Sequence, residues 1–119
     1  FGWLPMLSAV LATATLEPHA AGGRGLVHAV VLRADSGHLR SEEIESVIDI
    51  VRTTAEAEVA AVFKEAAPEV WSVSLRSKDD VDVSLVATAL GGGGHRGAAG
   101  YTTHGDREQI VAELRDALG

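Results

Sequence analysis

Several residue types that support common functions are absent or scarce in this sequence. It has no cysteine, which excludes disulfides, thiolate–zinc sites and a cysteine nucleophile, and which fits a cytoplasmic protein. Aromatic residues make up 4% of the chain, too few for a platform that stacks many bases. The net charge of −7 argues against wide, salt-driven binding of duplex nucleic acid. An anionic ligand must therefore meet a local cluster of cations, which favours a small or short ligand.

Long hydrophobic runs are also missing. No apolar run approaches the roughly 20 residues that a membrane-spanning helix needs, so we expect no membrane partner. The apolar segment from Leu4 to Ala14 resembles a signal peptide, but the first basic residue is Arg24, so the positively charged start is missing. Because the 119-residue chain begins at Phe1, we expect a piece of a longer protein.

The sequence contains none of the common hydrolase signatures, such as G-x-S-x-G, the P-loop or H-E-x-x-H. Its five histidines are scattered without metal-ligand spacing. The best carboxylate cluster, Asp79, Asp80 and Asp82, precedes a predicted helix, where solvation and capping explain it better than metal binding. We therefore expect no metal site and no hydrolytic machinery in this chain.

Apolar periodicity predicts a single α+β domain with a mixed β-sheet of about five strands and three to four helices. Strands are predicted over residues 12–16, 26–32, 58–64, 70–76 and 99–103, the first two forming a hairpin. Helices are predicted around Leu4, Leu7 and Leu11, and after the capping residues Ser41, Asp82 and Asp106.

The most informative stretch is Gly91–Gly100, GGGGHRGAAG. Gly91 has an ordinary explanation, because glycine commonly ends a helix. Three further glycines cost backbone entropy, and a flexible surface loop is the alternative to a functional one. We favour a phosphate-binding loop, in which the exposed N–H groups of Gly92, Gly93 and Gly94 approach an anion.

Four side chains could complete such a site. His95 follows the glycines directly and can donate to a phosphate oxygen as a neutral ring or as a cation, although a lone histidine is more often an ordinary surface or core residue. For Arg96 the sequence leaves two roles open, contact with the ligand and structural pairing. Arg76 and Ser77 end a predicted strand and suit phosphate or sugar oxygens; an exposed strand end is the alternative.

The decamer Gly91–Gly100 resembles the signature of the C-terminal DHH-associated domain of DHH-family phosphoesterases. Two upstream segments, Val73–Lys78 (VSLRSK) and Val81–Ser84 (VDVS), resemble the approach to that signature in one branch of the family. That branch comprises oligoribonucleases, 3′-phosphoadenosine 5′-phosphate phosphatases and cyclic-dinucleotide phosphodiesterases. The resemblance runs from about Gly25 to the final predicted helix.

The resemblance implies that residues 1–119 are the substrate-binding domain of a two-domain enzyme. Its N-terminal catalytic domain, absent here, would carry Asp-His-His and two manganese ions (Mn²⁺), and a homodimer could form through the parent protein. The glycines with His95 would hold the phosphate of a short oligoribonucleotide, dinucleotide or 3′-phosphoadenosine 5′-phosphate near the metals. His95 would also offset charge on the transition-state oxygens, while Arg76 and Ser77 would grip the far end of the substrate. Because Asp-His-His is missing, we expect the isolated chain to be inactive.

The alternative is a non-catalytic RNA-binding module. Alanyl-tRNA synthetases carry a related glycine-rich C-terminal domain that contacts tRNA. That version lacks a histidine after the glycines, so His95 favours the phosphoesterase, as does the acidic net charge.

Overall fold

The computed structural model describes residues 12–33, 48, 57–78 and 80–119. Across these residues six strands form one mixed sheet in the order β1-β2-β3-β4-β6-β5. The strands are Thr15–Glu17 (β1), Leu26–Val31 (β2), Val59–Ala67 (β3), Val70–Ser77 (β4), Gly93–His95 (β5) and Ala98–His104 (β6). The helices are Val83–Ala89 (α1) and Arg107–Leu118 (α2), and a 3-10 turn covers Ala21–Gly23. The predicted α+β class is confirmed.

The strands β2 and β3 form the parallel pair of the sheet. All six residues of β2 and the first five of β3 are buried, as expected of parallel strands covered on both faces. A parallel pair requires a crossover connection, which here runs between Val31 and Val59. Ile48 lies in this connection, is helical and is 1% exposed. The other apolar residues of the helix predicted after Ser41 lie outside the described residues, as does the helix predicted around Leu7.

Strand β4 has one apolar face, which packs toward the helices, and one mostly polar face. Its burial alternates residue by residue, and Trp71, Val73 and Leu75 enter the hydrophobic core. The indole N–H of Trp71 donates to the carbonyl oxygen of Gly105 at 2.9 Å. The alternate residues Ser72, Ser74 and Arg76 are polar and project from the opposite face.

Both helices begin at the predicted capping residues. The Asp82 carboxylate accepts from the backbone N–H of Ser84 at 3.0 Å and starts α1. Asp106 and Gln109 form a reciprocal capping box at the start of α2, with both hydrogen bonds at 2.9 Å. Helix α2 then buries Ile110 and Leu114 in the core.

Two details differ from the predictions. The glycine segment supplies a sixth strand, because β5 pairs with β6 despite the low strand propensity of glycine. Strand β1 begins at Thr15 rather than at residue 12, and β3 continues to Ala67 rather than to residue 64. In the described part of the chain, neither helix has the length and apolar character needed to cross a bilayer.

Candidate ligand-binding site

The glycine-rich segment is an edge strand of a tight hairpin rather than an open loop. Arg96 and Gly97 form the turn between β5 and β6. The opposed pairs are Gly93 with Gly100, Gly94 with Ala99 and His95 with Ala98. Residues 91–97 are all exposed, so this segment lies on the surface and is not buried in the interior.

The four consecutive glycines are present for different reasons. Gly91 has φ +91°, which ends α1. A Cβ at Gly92 would lie 2.1 Å from the carbonyl oxygen of Gly100, and one at Gly94 would lie 2.5 Å from Cα of Ala99. A Cβ at Gly93 would meet nothing within 4 Å. The internal packing therefore demands a glycine at 92 and 94 but leaves Gly93 without a structural reason.

The backbone N–H groups of this segment are also used unequally. The Gly91 N–H donates to the Thr88 carbonyl at 3.1 Å, and the Gly92 N–H donates to the Ala87 carbonyl at 2.8 Å. These bonds satisfy carbonyl groups at the end of α1. An anion contact from the Gly92 amide, as predicted, would require its bond to break. Gly93 is the better candidate for close approach of a ligand.

The turn after β5 is fixed from two directions. Ser77 donates to it twice, from its hydroxyl to the Arg96 carbonyl at 3.2 Å and from its N–H to the Gly97 carbonyl at 3.1 Å. The Val83 N–H, at the start of α1, donates to the same Arg96 carbonyl at 3.0 Å. These bonds tie the hairpin to the end of β4 and to α1.

The Arg96 side chain lies near the carboxylate of Asp82, with Nη1 3.7 Å from Oδ2. The hydroxyl of Ser84 donates to Asp82 and holds the pKa of that carboxyl below its ordinary value, with Arg96 adding to the effect. Asp82 therefore stays ionised at neutral pH and pairs with the arginine. Of the two roles predicted for Arg96, structural pairing is the one that this contact supports.

Strand register brings Arg76 and His95 to one place. Arg76 of β4 is opposite Ala98 of β6, and Ala98 is opposite His95 of β5. Opposed residues in antiparallel strands project from the same face, here the face away from α1 and α2. The two outer Cα atoms are about 10 Å apart, because neighbouring strands are about 4.8 Å apart. Between them Ala98 contributes only a methyl group.

This surface continues along the sheet and is called the open face below. It comprises Ser72, Ser74 and Arg76 of β4, Ala98, Gly100 and Thr102 of β6, and Gly93 and His95 of β5. A shallow depression of about 420 Å³ occupies the end near Ser72 and Thr102, next to Gly91 and Gly92.

The predicted site residues are thus divided between two roles. Gly93, His95 and Arg76 share the open face, and Arg76 also donates to the Leu75 carbonyl at 3.0 Å. Ser77 follows Arg76 on β4, projects from the opposite face and is 6% exposed, so it does not share the open face.

Sequence reasoning missed Thr102 and the pairing of Asp82 with Arg96. The signal for Thr102 was its even spacing from Ala98 along the same strand. Tyr101 lies in the core at 5% exposure. Burial raises the pKa of its phenol, with Glu113 adding to the shift.

A guanidinium, an imidazole and a glycine backbone are groups that can bind oxyanions. Within the ranges that the structure describes, no three His, Asp or Glu side chains come together as a possible metal site.

A family model described as the DHHA1 domain matches residues 20–119. The chain belongs to the DHHA1 domain family. This match confirms the predicted resemblance to the DHH-associated domain of DHH-family phosphoesterases.

Among sequence relatives of this DHHA1 domain is the bifunctional oligoribonuclease and PAP phosphatase NrnA of Thermus thermophilus. The two are 34% identical over 95 residues, which cover 79% of this chain and 28% of that protein. The chain thus spans under a third of the length of this relative.

Two solved structures share the fold. An exopolyphosphatase-related protein from Bacteroides fragilis superposes with a TM-score of 0.82 at 20% identity, covering 98% of this chain and 34% of that one. The C-Ala domain of alanyl-tRNA synthetase from Aquifex aeolicus superposes with a TM-score of 0.58 at 17% identity, covering 79% of this chain and 90% of that one.

Proposed function

We propose that this DHHA1 domain binds the phosphate end of a short oligoribonucleotide, a dinucleotide or 3′-phosphoadenosine 5′-phosphate. Hydrolysis would take place on a catalytic domain of the same parent polypeptide. The relative NrnA, an oligoribonuclease and PAP phosphatase of which the match covers 28%, supports both points.

The observation that carries the proposal is the row formed by Arg76, Ala98 and His95. Two groups that can donate to phosphate oxygens flank a methyl group, and Gly93 in the next row carries no side chain that would block a ligand. Charge-assisted hydrogen bonds from guanidinium and imidazolium are the stronger kind. His95 would also offset negative charge that develops on the phosphoryl oxygens during reaction.

In this proposal Ser77, Arg96 and Asp82 act through the hairpin. The Ser77 hydroxyl and the Val83 N–H both hold the Arg96 carbonyl, and Asp82 holds its side chain. Their joint effect is to set the position of His95 relative to Arg76. Ser77 and Arg96 are thus positioning residues, and the backbone of Gly92 maintains the close contact with Gly100.

The test is a titration of the isotopically labelled protein with a 5′-phosphorylated diribonucleotide, followed by NMR. We expect chemical-shift changes at Gly93, His95 and Arg76. His95→Ala and Arg76→Gln should each weaken binding about 10-fold or more, since each removes a hydrogen bond to a charged group.

The matched control is His104→Ala. His104 is also an exposed histidine on β6, three rows from Ala98 along the same face. It should leave the Kd unchanged. An equal loss of affinity in His95→Ala and His104→Ala would contradict the proposed site. So would an unchanged Kd in His95→Ala.

A second candidate is an RNA-binding module, which the structural similarity to the C-Ala domain favours. The net charge of −7 opposes it, because phosphate-backbone binding depends on cations. Gel-shift titrations with tRNA separate the two. Tight tRNA binding without affinity for the dinucleotide would reverse the order of the candidates.

The remaining parts of the proposal concern the parent enzyme. Its catalytic domain would hold two Mn²⁺ ions through Asp-His-His, a set that the described residues of this chain do not offer, and a homodimer would form through the same protein. A cytoplasmic location, predicted from the lack of cysteine, stays a prediction. Metal analysis of the purified parent enzyme tests the Mn²⁺ content, and its molecular mass in solution tests the homodimer.

A further inference from the structure

The open face carries three hydroxyl groups without a hydrogen bond in the part of the chain that the structure describes. Ser72 and Thr102 are exposed and Ser74 is half-buried. Within the described ranges, none of the three side chains donates or accepts a hydrogen bond or belongs to an ion pair. By contrast, the hydroxyls of Ser77, Ser84 and Thr103 all have protein partners. These three hydroxyls lie together on one surface.

The position of these hydroxyls relative to the phosphate-binding row is set by register. Ser72 is opposite Thr102, and this row is four residues along the strands from the row of Arg76 and Ala98. At about 3.3 Å per residue, the separation is about 13 Å. In the other direction β4 ends at Ser77. Along the strands, a ligand anchored at Arg76 and His95 can therefore extend over the sheet toward the hydroxyls but not the other way.

The depression at that end has the chemistry of a neutral polar ligand. Its lining combines Ser72, Ser74 and Thr102 with backbone and with small or buried residues, none of them charged. A second phosphate would find no cation in this lining, although Lys64 is opposite Ser72 on β3 and lies beside it. A hydroxyl both donates and accepts, so it can form a hydrogen bond with a donor or with an acceptor on a sugar or a base. Tyr101, the one aromatic residue among the described lining residues, is 5% exposed and offers no stacking platform.

The geometry points to a subsite for the ribose and nucleobase of the nucleotide whose phosphate lies at Arg76 and His95. This inference rests on the proposed function. The hydroxyls of Ser72, Ser74 and Thr102 bind the sugar–base part by hydrogen bonding without stacking. Because hydroxyls accept and donate alike, the subsite requires a nucleoside but discriminates weakly between bases.

The experiment is an NMR titration of the protein with three probes: inorganic phosphate, ribose 5-phosphate and adenosine 5′-monophosphate. All three should shift the resonances of His95 and Gly93. Only adenosine 5′-monophosphate should also shift those of Gly91, Gly100 and Thr102 strongly, and it should bind about 10-fold more tightly than phosphate. Uridine 5′-monophosphate should bind within about 3-fold of the adenine nucleotide, since each hydrogen bond is worth only about 1 kcal/mol.

The diagnostic variant combines Ser72→Ala with Thr102→Val, two changes that keep side-chain size and strand propensity. The double variant should weaken the binding of adenosine 5′-monophosphate about 3- to 10-fold and leave the Kd for inorganic phosphate unchanged. The control is Lys64→Gln. Lys64 is opposite Ser72 on β3, in the same row, but does not line the depression, so its replacement should not alter either Kd.

Two results would overturn the subsite while leaving phosphate binding intact. One is a double variant that binds adenosine 5′-monophosphate as the wild type does. The other is an equal loss in Lys64→Gln, because charge rather than hydroxyl bonding would then hold the ligand. Failure of the proposed function has a different signature, namely no response of the wild type to phosphate or nucleotide, and it overturns the subsite as well.

Discussion

The two faces of the β4–β6 pair have opposite chemistry, although they alternate along the same strands. On the face toward the helices, Trp71, Val73, Leu75 and Tyr101 are at most 5% exposed and belong to the hydrophobic core. On the open face the alternate positions are small or hydroxyl-bearing, ending in Arg76 and His95. In this strand pair the apolar contacts that stabilise the fold lie on one face, so the other face can carry polar groups.

The sharpest test of this contrast uses two adjacent residues of β4. Leu75→Ala removes a fully buried side chain and should lower the free energy of unfolding by about 3 kcal/mol. Ser74→Ala, one residue away on the open face, should change it by less than about 0.5 kcal/mol. Urea unfolding of both variants checks the difference. Equal losses would mean that the open face is also part of the folding core.

A second test compares neighbouring glycines. Gly92→Ala places a Cβ against the Gly100 carbonyl and should cost about 2 kcal/mol of stability. Gly93→Ala meets no atom within 4 Å and should be neutral in thermal unfolding, yet it should weaken phosphate binding several-fold if the backbone approaches the ligand. Gly93→Ala with wild-type affinity would remove that glycine from the site.

A third test concerns the tie between the two regions. Ser77→Ala leaves the Arg96 carbonyl with one donor instead of two and should destabilise the protein by about 1 kcal/mol. It should also accelerate hydrogen exchange of β5 amides more than of β2 amides, and raise the Kd for the dinucleotide. A uniform change in exchange across the sheet would show that Ser77 has no particular effect on the hairpin.

The smallest effect on stability is expected at the opposite edge of the sheet, where an ion pair makes stability depend on pH. The Arg115 guanidinium donates to both carboxylate oxygens of Glu17, at 2.6 and 3.1 Å, and His28 contacts the same group at 2.7 Å. Arg115 first, and His28 after it, hold the pKa of Glu17 below its ordinary value against the opposing effect of burial. Because the folded pKa is depressed, this stabilisation is complete above about pH 5 and is lost as the pH falls.

Arg115 is half exposed, so the pair should contribute about 1 kcal/mol at most. Unfolding of the wild type and of Arg115→Gln between pH 3 and pH 7, at intervals of about one unit, measures it. The variant should lose most stability at neutral pH and little at acid pH. A constant difference across this range would exclude the linkage.

Much of this arrangement was predictable from patterns with a period of two or a capping motif. The alternation of Trp71, Val73 and Leu75 placed Arg76 on the polar face of its strand, and Asp106 with Gln109 marked the start of α2. Both hold in the structure. Predictions of this kind succeed because they depend on residues that are near neighbours in sequence.

The parts that were not predictable depend on which strands become neighbours. Nothing in four glycines signals a strand, so β5 emerged only from its pairing with β6. The same pairing joins Arg76 to His95, which are 19 positions apart in sequence, and separates Ser77 from both. The use of the Gly92 amide by the Ala87 carbonyl likewise depends on how α1 meets the hairpin.

Both outer strands of the described sheet, β1 and β5, are only three residues long. An exposed strand edge can recruit the edge of another molecule and start aggregation, and very short edge strands are one natural protection. With three residues, two of them glycine, β5 offers few backbone groups and little side-chain surface to an incoming strand. A ligand-binding surface could therefore lie at the edge of this sheet without promoting edge-to-edge pairing with another molecule.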